Sequence, residues 1–489
     1  MFDVLGGDGD AGCPGGESVG SGVVETAVAA LAAGVERADP GRATRDAVVV
    51  DDDALVVCGE RYALAGVDNV VVVGAGKGCD RVAAALVDVL DGRVDDGLVI
   101  VDEPTAGLAM GPVAVRVGDH PVPSERGAAA AREVRERVAD ADERTLVLVA
   151  VTGGASALLA APVEPVGLDA LQGVTSVLLD AGAAIDEVNA VRKHVSTVKG
   201  GRLAVAAAPA RVVTVAVSDV VGDDPAVVGS GPTAPDASTF ADALAVLDRY
   251  DVDAPVVRAH LEAGAAGDGS EGAAETPSVD HEAFRETGVG DAGFHVVASA
   301  RTAVAGAVDA AASSGYEPTV LSSTVTGESR ECGRFHAAVG REVASAGEPV
   351  ATPAVLVSAG ETTVTVSGDG DGGPNQEFVL GAALDLAAGP ELPPAVEAAV
   401  AAVDTDGRDG STDHAGAVLA ADALADPDLR REARDALARN DASGFFERFE
   451  RATAGDASGT RVPVGGRLRS GATGTNVNDL RVVVVVDDR

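Results

Sequence analysis

Short apolar runs alternating with helix-length segments constrain this chain more than any other feature. Val70–Val73, Leu98–Val101, Thr145–Val151 and Val212–Val217 are four to seven residues long and almost wholly aliphatic. Strands buried on both faces read in this way, because neither face needs polar residues. The intervening segments Cys79–Leu90, Glu125–Ala139 and Leu168–Ala181 are long enough to be helices. Strand, long crossover, strand predicts a mostly parallel sheet covered by helices. The expectation is an α/β chain of two domains, beginning with a Rossmann-like α/β/α domain over residues 21–262.

The second half repeats the pattern in kind. Strands are expected at His295–Ala298, Thr319–Ser322, Ala354–Ser358, Thr362–Ser367, Ala398–Val403 and Val482–Val486. Helices are expected near Thr302–Ser313, Ser329–Ala344, Glu377–Ala387 and Leu429–Ala438. No helix fits between Ala354–Ser358 and Thr362–Ser367, so those strands argue for a mixed sheet in a C-terminal domain over residues 291–489. Residues 263–290, rich in Gly, Ala, Ser and acids, read as a linker or insertion, and residues 1–20 as a flexible tail.

Composition narrows the partners. Asp plus Glu number 77 against 37 basic residues, giving a net charge of −40, yet 46% of residues are hydrophobic. Such a chain folds, and its field repels nucleic acid and anionic membranes. Only three of the bases are lysine, and the composition resembles that of a salt-in halophile's protein. Cys13, Cys58, Cys79 and Cys332 show no metal or disulfide spacing. No run approaches the roughly 18 apolar residues of a membrane helix, and the start lacks the basic region of a secretory signal. A cytoplasmic protein is expected, with a homodimer compatible.

The three lysines, Lys77, Lys193 and Lys199, stand in glycine-marked or polar segments. Gly74-Ala75-Gly76-Lys77-Gly78 follows a strand and opens a helix, which places backbone N–H groups where an anion could sit. The dinucleotide template needs glycine at position 79, which is Cys79, and the Walker template also fails. A tight turn without a ligand is the other reading. Thr152-Gly153-Gly154-Ala155-Ser156 repeats the device after the next strand but one. Arg192, Lys193, His194, Lys199 and Arg202 then form a cationic strip that suits an anionic substrate, or else a solvated helix face. Asp219 and Asp223 follow a strand in a glycine-broken loop, and Asp404-Thr405-Asp406-Gly407-Arg408-Asp409-Gly410 follows another. Carboxylates so placed can hold a hard cation or a hydroxyl, although solvated acidic turns look the same. Together these features suggest magnesium-assisted phosphoryl transfer.

From about Val24 to the C-terminus the chain resembles the type II glycerate kinases, whose C-terminal half is called the MOFRL domain. The resemblance rests on Gly76-Lys77, Gly118–Pro123, Thr152–Ala157, the strip Asn189–Arg202, Ser218-Asp219 and Gly229-Ser230-Gly231-Pro232-Thr233. It continues through Ala359-Gly360-Glu361, Gly372–Glu377, Asp406–Gly410 and Thr473–Asp479. It implies transfer of the ATP γ-phosphate to D-glycerate, at the 2-hydroxyl, in a cleft between two domains, with ATP and Mg²⁺ as cofactors. Carried over by position, Lys77 would meet the transferring phosphate and Asp406 would orient or deprotonate the hydroxyl. Gly74, Gly76, Gly153, Gly154, Ser156, Lys199 and Gly231 would contact the nucleotide. Arg192, Lys193, Arg202, Asn375 and Glu377 would contact substrate, and Asp219 and Asp223 the metal.

One departure stands out: the family usually has arginine in Gly-Gly-Arg-Asn-Gln-Glu, where this chain has Pro374. Arg408, in the aspartate loop, is the candidate replacement. The alternatives are an NAD(P)H-dependent hydroxypyruvate reductase, opposed by Cys79 and Lys77, and a non-catalytic sugar-acid binding protein, favoured only by Pro374. His120, in Asp119-His120-Pro121, reads equally as a substrate contact or a strand-end cap.

Overall fold

The structure is a computed structural model that describes residues 2–4, 21–164, 166–267, 274–286, 293–390, 392–454 and 465–487. It contains two compact units, which are not consecutive halves of the chain. One runs from Pro40 to Ala298, and the other joins residues 1–39 to residues 299–489. No helix among the described residues is long and apolar enough to cross a membrane.

The continuous unit is built on a six-stranded sheet with every pairing parallel. Its spatial order is Phe294–Ala298, Arg211–Val217, Thr145–Val151, Asn69–Ala75, Asp96–Val101 and Val113–Val117. The chain starts at Asn69–Ala75, moves two strands to one side, then returns to Thr145–Val151 and builds to the other side. The order therefore reverses between Asn69–Ala75 and Thr145–Val151, and in open α/β sheets ligands bind at the carboxyl ends of strands at that point. Val73, Ile100, Val149, Leu158, Val212 and Phe284 belong to the core of this layer. A second core lies among the helices Gly167–Asp180, Ile185–His194, Phe240–Arg249 and Pro255–Ala266, centred on Leu171, Val188, Phe240 and Leu261.

Two expectations change here. The strand at His295–Ala298 was assigned to the second half, but it pairs with Arg211–Val217 and completes the first sheet. Residues 263–290 were expected to be a linker or an insertion, and the described part is no linker. Residues 263–266 instead finish a helix, and in 274–286 Thr276, Ala283 and Phe284 are buried against the same unit. The remainder of that segment lies outside the described residues. A small antiparallel sheet, Val48–Asp51, Ala54–Val57 and Glu60–Ala63, went unread because each strand is only four residues long.

The other unit has a seven-stranded mixed sheet. Its order is Asp3–Val4, Gly465–Arg469, Gly416–Ala420, Val396–Asp404, Asp479–Asp487, Ala354–Gly360 and Glu317–Val325. The last two are parallel and the other pairings antiparallel. Asp479–Asp487 carries Val482–Val486 through the middle, buried on both faces, hence the unbroken valine run. The mixed sheet agrees with expectation, but the reason given for it does not. Residues 362–367 form no strand: the Thr365 N–H donates to the Glu328 carboxylate at 3.1 Å, and the Ser367 N–H to Asn440 Oδ1 at 2.8 Å. Side chains have taken the place of the ladder. The tail expected over 1–20 includes Asp3–Val4, paired with Gly465–Arg469, while residues 5–20 lie outside the described residues.

Candidate functional site

The turns after Asn69–Ala75 and Thr145–Val151 are laced together at the reversal point. The Lys77 N–H donates to the Gly153 carbonyl at 2.7 Å, and the Thr152 hydroxyl donates to the Lys77 carbonyl at 2.8 Å. Glycine permits this approach. A side chain at Gly74 would fall on the Ala150 carbonyl, and one at Gly76, at φ +134°, on the Thr152 hydroxyl. Gly74 and Gly76 are therefore glycine because the neighbouring strand and turn lie there, not because a nucleotide must approach them. Nor is the positive end of the helix Cys79–Leu90 open: the buried Asp80 carboxylate occupies its first turn, accepting from Arg81 and Thr105 N–H groups at 2.9 and 2.6 Å. The helix after Gly154 spans only Ala155–Leu158, so it is a weak dipole. Any anion here meets the Lys77 side chain first.

Gly154 is the hub of this turn pair. It sits at φ +82°, and a Cβ there would stand 3.0 Å from His120 Cδ2 and 3.5 Å from Lys77 Cγ. Its N–H donates to the Asp219 carboxylate. Burial pushes the Asp219 carboxyl above its ordinary value, while backbone donors and the charge of Lys77 oppose that rise. Lys77, His120, Gly154 and Asp219 thus converge at the carboxyl ends of the sheet. His120 belongs to this group, which the sequence left open because Asp119-His120-Pro121 suits a strand end equally well. Asp119 itself forms an exposed pair with Arg126.

A polar chain leads on from the hub. Ser156 Oγ lies 2.8 Å from Ser230 Oγ, which in turn donates to Asn189 Oδ1 at 3.0 Å. Arg192 donates to the same Asn189 oxygen at 3.2 Å. Lys199 is 1% exposed, and among the described residues its ammonium meets one acceptor, the Gly229 carbonyl at 3.5 Å. Burial, reinforced by the charge of Arg192, holds the Lys199 ammonium well below its ordinary value. Half-buried Arg192 beside buried Lys199, with no ion pair to an acid among the described residues, forms an under-compensated site. The loops carrying them are fastened by Gly200 N–H to Ser230 O at 3.1 Å and Gly201 N–H to Gly231 O at 2.7 Å. Gly231 is glycine for the close approach of Ala226 in this turn.

The strip divides at Lys193. Its ammonium pairs with Asp236 at 2.9 Å with both side chains buried, so Lys193 is a structural ion pair and not the expected substrate contact. His194 lies on the same side, 3.1 Å from Glu275. Arg202 also turns away, donating to the Ala274 carbonyl at 2.8 Å. Asp223 follows Asp219 in the loop at φ +57° and is half-buried. No group of three or more His, Cys, Asp or Glu side chains among the described residues is disposed to hold a metal.

In the other unit the expected contacts Asn375 and Glu377 are engaged by neighbours through one side-chain polar atom each, while Asn375 Oδ1 and Glu377 Oε2 are buried without a hydrogen-bond partner among the described residues. Both residues open the helix Pro374–Ala388, whose first N–H groups need acceptors. Buried Asp409 provides them, accepting from Asn375 N and Gln376 N at 2.8 Å each. The Asn375 amide nitrogen bridges Asp409 at 3.2 Å and Asp479 at 2.6 Å, and Asp479 pairs with fully buried Arg481. Glu377 accepts from Asn440 at 3.0 Å. Burial pushes the Asp409 carboxyl up to about 7, although the donated N–H bonds oppose it. Asp406 is half-buried and accepts the Arg408 N–H at 2.8 Å. The Arg408 guanidinium is exposed, with Asp413 3.8 Å away. It stands in the same loop as Asp409, directly beside the helix start that carries Pro374.

Similarity to known proteins extends along the chain. Residues 26–262 match a domain of unknown function, DUF4147, and residues 354–479 match the MOFRL family. A glycerate 2-kinase of Pyrococcus horikoshii is 35% identical over 460 residues, 93% of this chain and 96% of the relative. A D-glycerate 2-kinase of Thermotoga maritima is 35% identical over 86% of this chain and 91% of its own. A putative hydroxypyruvate reductase of Agrobacterium vitis is 36% identical over 85% and 87%. The crystal structure of the Thermotoga maritima glycerate kinase superposes with a TM-score of 0.76 at 31% identity, covering 95% of this chain and 100% of that one. A Pyrococcus horikoshii structure gives 0.77 at 31% identity over 97% and 100%. With relatives this similar along nearly its whole length, the chain belongs to the glycerate 2-kinase family that carries the MOFRL domain.

Proposed function

We propose that this protein is an ATP-dependent glycerate kinase that transfers the γ-phosphate to the 2-hydroxyl of D-glycerate and releases ADP. The observation that carries this reading is the convergence of Lys77 with Asp219 at the sheet's reversal point, next to the under-compensated cations Arg192 and Lys199. Phosphoryl transfer needs positioning and positive charge more than covalent chemistry. Lys77 supplies charge to the transferring phosphoryl group. Arg192 and Lys199 take the substrate carboxylate or the polyphosphate, and the Ser156, Ser230 and Asn189 groups orient what they hold.

Asp219 is the group we place at the reacting hydroxyl. A carboxyl raised by burial is a better proton acceptor than an ordinary aspartate. We prefer it to Asp406, one of whose oxygens is already engaged by the Arg408 N–H. Magnesium takes one or two carboxylates and otherwise uses phosphate oxygens and water, which suits a site without a three-ligand cage. Asp223, with a share of Asp219, would hold it, and the ion would supply positive charge to the phosphates. Arg408, beside Pro374, is the guanidinium we put in place of the family's arginine. The net charge of −40 supports a working environment of high salt, since the screening length falls to about 3 Å at 1 M.

The reductase reading meets an obstacle at Cys79. Its buried sulfur points to the Ala150 carbonyl at 3.4 Å, where the third glycine of a dinucleotide turn would stand. The deciding assay is coupled ADP release from Mg-ATP and D-glycerate in molar KCl, with NADH plus hydroxypyruvate alongside. Glycerate-dependent ADP is expected, falling by about 10³-fold or more in Lys77→Ala with the fold unchanged by circular dichroism. NADH oxidation without ADP overturns the kinase reading.

A further inference from the structure

On the continuous unit, a cavity of about 440 Å³ is lined by Arg132, Arg135, Glu136, Glu164, Ser196 and Arg202, among others. None of Lys77, Gly154, Arg192, Lys199 or Asp219 lines it. Three arginines against two glutamates make its wall net positive in a chain where acids outnumber bases 77 to 37. Most arginines of the described residues are paired with an acid or a carbonyl, as Arg116, Arg126, Arg137 and Arg144 are. Arg132 and Arg135, one helical turn apart on Glu125–Ala139, make no ion pair with a described residue. The third, Arg202, has its Nε buried without a hydrogen-bond partner among them, and burial lowers its basicity. A buried guanidinium donor without an acceptor is destabilising, and an incoming anion would relieve that cost.

We infer that this cavity is a second anion site, separate from the catalytic centre, that takes a small phosphate-bearing molecule. The volume falls within the roughly 300–1,000 Å³ of small-ligand pockets, and guanidinium forks match phosphate oxygens bidentately. Glu136 and Glu164 give the site a second, hydroxyl- or amine-accepting side, so the ligand carries such donors beside its phosphate. Ser196, on the wall, accepts the backbone N–H of Lys199 at 3.2 Å, and one turn of chain therefore joins the two sites.

The test uses the full chain carrying Lys77→Ala, in KCl at which it is folded, titrated calorimetrically with inorganic pyrophosphate in the absence of nucleotide. Because Arg192 and Lys199 remain, one event at the catalytic centre and one at the cavity are expected, and only the latter should weaken at least tenfold when Arg132→Ala and Arg135→Ala are added. The same two substitutions in the wild-type chain should leave turnover at saturating ATP and glycerate within twofold. Pyrophosphate affinity unchanged by the two arginine substitutions, or no binding in the Lys77→Ala chain, overturns the inference. Neither result depends on whether glycerate is the phosphate acceptor, so failure here is distinguishable from failure of the kinase reading.

Discussion

The Asp219 loop and the Asp404–Asp409 loop both follow a strand and both mix acids with glycine, yet their polar groups end up in opposite situations. Around Asp219 the charges remain under-compensated: a raised carboxyl faces Lys77, and Lys199 has one long contact to a carbonyl. Around Asp409 the carboxylates are satisfied, although Asn375 Oδ1, Gln376 Oε1, Glu377 Oε2 and two nitrogens of Arg481 are buried without a partner among the described residues. The Asp409 carboxylate caps a helix, Asn375 bridges it to Asp479, and Asp479 holds Arg481. Identical residue types therefore face a cation in one loop and cap a helix in the other. What separates them is the partner that the fold brings to each carboxyl: Lys77 for Asp219, and the first N–H groups of a helix for Asp409.

Substitutions can break that contrast. The largest effect is expected at Asp219→Asn, which should lower kcat by about 10²–10⁴-fold with little change in melting temperature. The acid limb of the wild-type pH profile, where kcat/KM falls as a carboxyl above the usual aspartate range takes up its proton, should vanish with it. A variant that keeps its turnover but needs far more Mg²⁺ would remove Asp219 as the base and leave metal holding as its whole role. Arg408→Ala should reduce kcat by about ten- to a hundredfold, less than an arginine finger's full contribution because the side chain is so exposed; unchanged turnover would leave Pro374 uncompensated.

Asn375→Ala tests the architectural side. Leaving Asp409 and Asp479 short of a donor should cost about 1–3 kcal/mol of stability per unsatisfied group. Denaturant midpoints should fall while kcat of the folded fraction stays within a few-fold, and the reverse pattern would return Asn375 to the substrate. The smallest effect is the pH dependence of Asp409. Its folded value, about 7, lies above the unfolded 3.8, so its stabilising contribution is full below 3.8 and is lost as pH rises through 7. His336, lowered to about 4 by burial, acts oppositely, losing its contribution as pH falls from 6.5 toward 4. The difference in melting temperature between wild type and Asp409→Asn isolates the first: it should move in favour of the variant from pH 4 to 8, and a constant difference would show that Asp409 stays ionised throughout.

Legibility in the sequence followed the same division. Cys79–Leu90, Glu125–Ala139 and Thr145–Val151 were readable to the residue, because local periodicity and flanking glycine decide such elements. Thr362–Ser367 alternates like a strand, but Glu328 and Asn440, distant in sequence, supply the partners that a neighbouring strand would have given. At the site, the rarity of lysine singled out Lys77 and Lys199, and equally Lys193, which Asp236 neutralises from 43 residues away. No local signal announces such a partner. Ser230, between two glycines and itself at φ +64°, was visible only as a turn.

The discontinuous unit has a consequence for the order of events during synthesis. The helix Ser21–Arg37 packs against Ala300–Ser313 and the strands Val396–Asp404 and Asp479–Asp487, all made long after it. At about 5–20 residues per second, it waits from under half a minute to more than a minute for the last of these. The Pro40–Ala298 unit can fold in that interval, with the early helix held apart on its leading side. A nascent chain stalled before Ala300 would thus present one finished unit and an orphaned, alanine-rich helix, a natural substrate for the chaperones and proteases that survey incomplete products.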